Sequence, residues 1–259
     1  MRNNRHLYKV GLAGLLLLSL LLSFQALAST RIAAAASLQL ALKEIAVQFN
    51  QAFPQYDISL TFGSSGVITS QVQQGAPFEL FFSADVAHID QLQSLGLVQG
   101  QPYDYALGRI AFYSRQTLSA DAADSALKQW LEKRSPNAKL AIANPRHAPF
   151  GVAAMAWLSH IHPVEQASSF LVQGENVAQA VQFVLSGAAE TGVVAWSLLK
   201  GREDLQGQTW LIPATEHPPL IQRVALIKGA GETAQVFFDY IQQPEAKQIL
   251  TRHGFGLPD

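Results

Sequence analysis

The chain has no cysteine among its 259 residues. That absence excludes disulfides, thiolate metal sites and cysteine nucleophiles together. It also excludes a lipid anchor built on a cysteine after a leader, and any transferase that tethers a dipyrromethane cofactor through a thiol. Charge is scarce as well. Only 14% of residues are Asp, Glu, Lys or Arg, and the formal net charge is −1. The two signs are evenly mixed, with no basic stripe of the kind that nucleic acid or an anionic membrane would need. An anionic ligand would therefore be held by a few local donors rather than by a broad positive field. There is no adjacent Tyr-Tyr pair, which a ferric-ion binder would place in its cleft. No internal repeat, low-complexity tract or flexible linker interrupts the chain.

The first residues carry a different pattern. Arg2, Arg5 and Lys9 precede an apolar run from Val10 to Phe24, and Ala26-Leu27-Ala28 offers a small-x-small site before Ser29. A positive start, a short apolar core and a small-residue site make a secretory signal peptide over residues 1–28. The run approaches spanning length, so an uncleaved anchor is the alternative, but the cleavage site follows at once. Export to a periplasm is expected. Removing the leader takes three of the 18 basic residues and none of the 19 acidic ones, leaving a mature formal charge of −4. About 230 residues remain, enough for one large domain or two small ones with separate cores.

The mature chain alternates short strands with amphipathic helices. Arg31 to Ala36 reads as an apolar strand, with Ser37 as N-cap of a helix carrying Leu38, Leu42, Ile45 and Phe49 at helical spacing. Strand Asp57–Phe62 runs into Gly63-Ser64-Ser65-Gly66, followed by a helix over Val67–Gln74 that Gly75 closes. Strand Glu79–Ser83 and a helix over His88–Leu95 come next, then a strand-like stretch Tyr105–Ser114. A second series follows: helix Ala123–Leu131, strand Lys139–Ala143, helix Val152–His160, strand Ser169–Gln173, helix Val177–Leu185, and strands Thr191–Val194 and Thr209–Ile212. Leu220–Lys228 is extended, and helices Glu232–Gln242 and Pro244–His253 end the chain. This rhythm predicts an α/β fold with mostly parallel sheets covered by helices. Two lobes joined by extended crossings near 105–110 and 218–226 fit the order. The first lobe would take 29–107 and 222–259, the second 108–221, with a ligand between them at strand carboxyl ends.

Small and hydroxyl residues recur where strands hand over to helices. Ser37 lies at one such turn and Ser64-Ser65 at another. Phe150-Gly151 precedes the helix from Val152, and Glu175-Asn176 precedes the one from Val177. A helix N-terminus has unsatisfied N–H groups and a partial positive charge, so it suits an anion. Two turns from each lobe would surround one small anion with neutral donors. A tetrahedral dianion offers only acceptors and needs no counter-charge if fixed N–H and O–H groups meet them. Any one of these turns, taken alone, is better explained by helix capping, so the case rests on the set.

The same segments resemble a known family. Ala34-Ala35-Ala36-Ser37-Leu38, Phe62-Gly63-Ser64-Ser65-Gly66, Phe82-Ser83-Ala84-Asp85, Asn144 through Gly151, Gly174-Glu175-Asn176-Val177 and Gly192-Val193-Val194-Ala195 are similar, in order and spacing, to the periplasmic molybdate-binding proteins of bacterial ABC transporters. Phe237 to Ile241 and Gly254-Phe255 resemble that family's end. The resemblance implies a type II periplasmic-binding-protein fold, two lobes each with a mixed sheet, closing on molybdate or tungstate. It implies the Ser37 and Ser65 hydroxyls and the Phe150 and Val177 main-chain N–H groups as donors. It further implies a membrane permease as partner, a monomer, no cofactor beyond the ligand, no catalytic residue and no side chain ligating a metal cation. The family's further donor, a tyrosine hydroxyl, falls at Ala195, so that donor is absent. Adjacent Trp196 is the alternative source of an N–H at the cleft.

Several residues carry simpler readings. His160 and His162 form a His-x-His pair at a helix end before Pro163, read as solvated rather than metal-binding. Arg146 and His147 belong to a loop at the cleft rim or in solvent. Asp85 is expected to cap a turn, and Trp130, Trp157 and Trp210 to fill the second lobe's core. No Ser-x-x-Lys or Gly-x-Ser-x-Gly motif accompanies the site serines, which disfavours an enzyme on the same fold. Sulfate, thiosulfate or another oxyanion remains the rival ligand.

Overall fold

A computed structural model describes residues 29–258; the leader expected over 1–28 lies outside them. Two five-stranded sheets are built to one plan. In the first, β1 (Thr30–Ala35) lies parallel to β2 (Ile58–Gly63) and β3 (Leu80–Ser83). Strand β10 (Leu220–Ile227) runs antiparallel between β3 and the edge strand β4 (Val98–Gly108). In the second, β6 (Leu140–Ala143) lies parallel to β7 (Leu171–Gly174) and β8 (Thr191–Ala195). Strand β5 (Ile110–Ser114) runs antiparallel between β8 and the edge strand β9 (Gln208–Leu211). Each sheet thus has three parallel strands, a reversed fourth and an edge.

Helices connect the strands. In the first lobe these are α1 (Gln39–Ala52), α2 (Ser65–Gln73) and α3 (Ala87–Ser94). In the second they are α4 (Ala123–Lys133), α5 (Pro149–Ile161), the single turn α6 (Val164–Ala167) and α7 (Val177–Leu185). The last two, α8 (Glu232–Tyr240) and α9 (Pro244–Arg252), pack Phe237, Ile249 and Leu250 against Ile32, Leu42 and Phe49 of the first lobe. The chain passes between lobes at Gly108–Ile110 and again on entering β10.

Burial explains the pattern. β1, β3, β5, β6 and β8 are buried along almost their whole length, as strands covered on both faces must be. Helix α1 buries Ala41, Leu42, Ile45 and Phe49 along one stripe. Trp130 and Trp157 are fully buried in the second lobe; their indole N–H groups reach Glu190 and Asp124. Trp210 is only half-buried, on the edge strand. His160 is exposed, and His162 lies 5.4 Å from the Phe170 ring.

Several elements depart from the sequence reading: the stretch read as strand-like over Tyr105–Ser114 is divided at Arg109 between β4 and β5, which lie in different sheets, and α6 had no counterpart in it. β4 begins at Val98 rather than Tyr105; Gly100 at φ +69° and Pro102, which offers no N–H, disguise its first part in the sequence, and an edge strand tolerates both. Helix α5 begins at Pro149, three residues early, since proline suits the first helical position.

Candidate functional site

The parallel strands of both sheets end at the same place, the seam between the lobes. There the four turns meet around a small pocket of about 10 Å³. Pockets for drug-sized ligands measure roughly 300–1,000 Å³, so this site suits only something far smaller. Ala36-Ser37 and Gly63-Ser64-Ser65 line it from the first lobe, Ala148-Pro149-Phe150 and Asn176-Val177 from the second. No lining side chain is charged. Ala35, Ala36 and Ala84 of the first lobe belong to the second lobe's hydrophobic cluster, so the two halves are closed on one another.

Each turn presents donors for a local reason. Ser37 sits in a 3-10 turn, Ala36–Leu38, ahead of α1, and caps neither element. This corrects the N-cap reading. Its hydroxyl is buried and has no hydrogen-bond partner. A polar atom in that state costs about 1–3 kcal/mol unless something arrives to meet it. Ser65 is the first residue of α2 and is fully buried. Its oxygen accepts the Ala84 N–H at 2.9 Å, which leaves the hydroxyl hydrogen uncommitted.

In the second lobe the donors are main-chain. Phe150 is the second residue of α5 and Val177 the first of α7. N–H groups in a helix's first turn have no intrahelical acceptor. Asn176 caps α7, accepting from Ala178 N–H at 3.0 Å and Gln179 N–H at 3.1 Å, and leaves the Val177 N–H alone. A Cβ at Gly151 would collide with the Ala143 carbonyl oxygen, so glycine lets α5 start hard against the end of β6. Four helix starts converge on one small volume, and their dipoles all favour negative charge there.

Two residues of the sequence reading lie elsewhere. Ala195 is fully buried and Trp196 half-buried, and neither lines the pocket. The Trp196 indole lies so close to Gly254 that a Cβ there would stand 2.8 Å from its Nε1. Neighbouring positions in that turn do matter, because Ser197 Oγ donates to the Ser37 carbonyl oxygen across the seam at 2.8 Å. Asp85 acts as a turn cap: its carboxylate accepts the His88 N–H at 3.2 Å and pairs with His88 Nδ1 at 2.6 Å. Burial pushes the Asp85 carboxyl up, but the bonds from His88 and Ser83 outweigh it and hold the group below its ordinary range.

Sequence reasoning missed Ser197, and it left His147 as an unassigned loop residue. His147 Nδ1 lies 2.9 Å from Ser64 Oγ, and its carbonyl oxygen accepts the Gly66 N–H at 2.9 Å. Arg146 beside it is exposed. Among the described residues no group of three or more His, Asp or Glu side chains is arranged to hold a metal ion.

A family model described as bacterial extracellular solute-binding protein matches residues 30–256. The chain is 36% identical over 234 residues to the molybdate-binding protein ModA of Azotobacter vinelandii, covering 89% of this chain and 90% of that one. It is 33% identical over 216 residues to the molybdate-binding protein ModA of Rhodobacter capsulatus, covering 82% of each. Among solved structures, the periplasmic molybdate-binding protein of Azotobacter vinelandii aligns with a TM-score of 0.80 at 27% identity, over 89% of this chain and 100% of that one.

Proposed function

We propose that this chain, which belongs to the bacterial extracellular solute-binding proteins and within them to the ModA group, captures molybdate and delivers it to the membrane permease of an ABC transporter. The ligand is a small tetrahedral dianion, and tungstate, of nearly the same size and charge, is accepted with it. Ser37 Oγ, Ser65 Oγ and the N–H groups of Phe150 and Val177 are its donors. The observation that carries this reading is the Ser37 hydroxyl, buried at the pocket with nothing to bond. An acceptor-only ion turns that liability into a charge-assisted hydrogen bond. The uncommitted Ser65 hydrogen and the two free helix-start N–H groups support the same assignment.

The lack of a charged lining side chain fits a carrier rather than a trap. Neutral dipoles satisfy the anion without a fixed counter-charge that would oppose its release. The protein acts by binding, not by catalysis, as a monomer in the periplasm after loss of residues 1–28. The lobes are 29–107 with 222–259, and 108–221.

A thermal-shift panel on the mature protein tests the assignment. A ligand that binds only the folded state raises the melting temperature by mass action. Molybdate and tungstate are expected to give large shifts, and sulfate and phosphate small ones. A phosphate or amino-acid shift equal to that of molybdate would remove the assignment.

A further inference from the structure

We propose that His147 is a latch between the lobes, a positioning residue that holds them shut over the anion and sets its residence time; this rests on the binding reading above. His147 lies on the loop between β6 and α5, at the rim of the pocket. It reaches the opposite lobe twice, through its ring to the Ser64 hydroxyl and through its carbonyl to the Gly66 N–H, each at 2.9 Å. Its other ring nitrogen lies 3.5 Å from the Glu175 carboxylate, on the loop before α7. The imidazole therefore lies between Glu175 of its own lobe and Ser64 of the other.

The close approach depends on one residue. A Cβ at Gly66 would stand 2.9 Å from both the Cβ and the carbonyl oxygen of His147. Two carbon atoms do not pack at that distance, since their optimum is about 3.5–4.0 Å. Only glycine lets the α2 start meet this loop. The contacts also fall on the turn that carries Ser65, so the residues that join the lobes and a residue that faces the anion are adjacent in one rigid helix start.

These bonds exist only while the lobes are together. Once the cleft opens, Ser64, Gly66 and His147 bond to water instead, so the latch adds nothing to the open form. An anion entering the open cleft need not form them first, whereas an anion leaving must break them. The effect falls on the dissociation rate, where most affinity differences between related complexes arise.

The test chases radiolabelled molybdate from the mature protein with unlabelled anion, with affinities from titration calorimetry. A net hydrogen bond contributes about 0.5–1.5 kcal/mol, so His147→Ala is expected to release molybdate roughly three- to ten-fold faster. Its association rate should stay within about two-fold of the parent. His147→Asn, which keeps a polar group near Nδ1, should restore most of the difference. The double variant Ser64→Ala, His147→Ala should release no faster than the more affected single variant, because partners in one bond are not additive. Gly66→Ala should weaken binding by roughly ten-fold or more through overpacking. The ligand-free protein should keep its melting temperature, since alanine suits a helix. A parent-like dissociation rate in His147→Ala, a change confined to association, or additive effects in the double variant would each overturn the latch while leaving molybdate binding in place. A parent that takes up no molybdate would overturn the binding reading first, and the latch with it.

Discussion

Replacing Ser37 by alanine should move affinity and stability in different directions. A hydroxyl that only shapes the fold is lost at a cost to the fold. Ser37 is 1% exposed and its hydroxyl has no partner, so the ligand-free protein gives up no hydrogen bond when it goes. Its removal relieves a buried unmet polar group in the closed form and is neutral in the open form, where water meets it. The ligand-free melting temperature should therefore hold or rise slightly, with stability changing by no more than about 0.5 kcal/mol downward. Affinity should fall sharply. A hydrogen bond to a charged group contributes about 1.5–3 kcal/mol, which converts to a roughly ten- to 150-fold weaker Kd at about 1.4 kcal/mol per decade. Titration calorimetry with molybdate and a thermal melt of the ligand-free protein read the two quantities separately. Unchanged affinity with a lowered melting temperature would refute the reasoning and return Ser37 to a structural role.

Ser65→Ala should lose on both counts, weakening binding by roughly ten-fold or more and destabilising the ligand-free protein by about 1 kcal/mol, because the Ala84 N–H loses its acceptor; calorimetry and melts check both. Trp196→Phe should leave molybdate affinity within about two-fold of the parent, below the effect of one lost hydrogen bond, since the indole faces Gly254 and not the pocket; a ten-fold loss by calorimetry would contradict this. Asp85 has a lowered folded-state value, so its stabilising effect is fully present above the ordinary carboxylate range and is lost as pH falls through the lowered value. Acid unfolding of Asp85→Asn should accordingly converge with that of the parent at low pH and fall below it near neutrality.

The local parts of this architecture were legible because their causes are local. Helix α7 could be bounded from Val177 to Leu185, since Asn176 is a side-chain cap and the apolar stripe is continuous. Phe150 and Val177 were picked out by the family resemblance, and the structure puts both in the first turn of a helix. What escaped the sequence has partners far away along the chain. Ser64 and His147 are 83 positions apart, and Ser197 and Ser37 are 160 apart, so no spacing rule connects them. Ser37 looked like a cap because serine after a strand usually is one; the 3-10 turn that carries it past that position has no sequence signal here. Trp196 was drawn toward the cleft by adjacency to position 195. The turn there is helical, and it sends the ring to the C-terminal segment instead.

The place of β10 between β3 and β4 has a consequence for the order in which the protein can be made. The second lobe is one continuous stretch of chain, and its sheet is complete once β9 has emerged. The first lobe is not. Strand β4 has no neighbour in its sheet until residues 220–227 arrive to lie beside it, and the core on α1 waits longer still for Phe237, Ile249 and Leu250. Pairings between residues more than a hundred positions apart close slowly, because the loop entropy precedes the gain. A chain threaded through a membrane from its N-terminus would therefore present its first half unfinished until nearly all of it had crossed. The half of the pocket that holds Ser37 and Ser65 thus belongs to the lobe whose sheet and core are completed last in the chain.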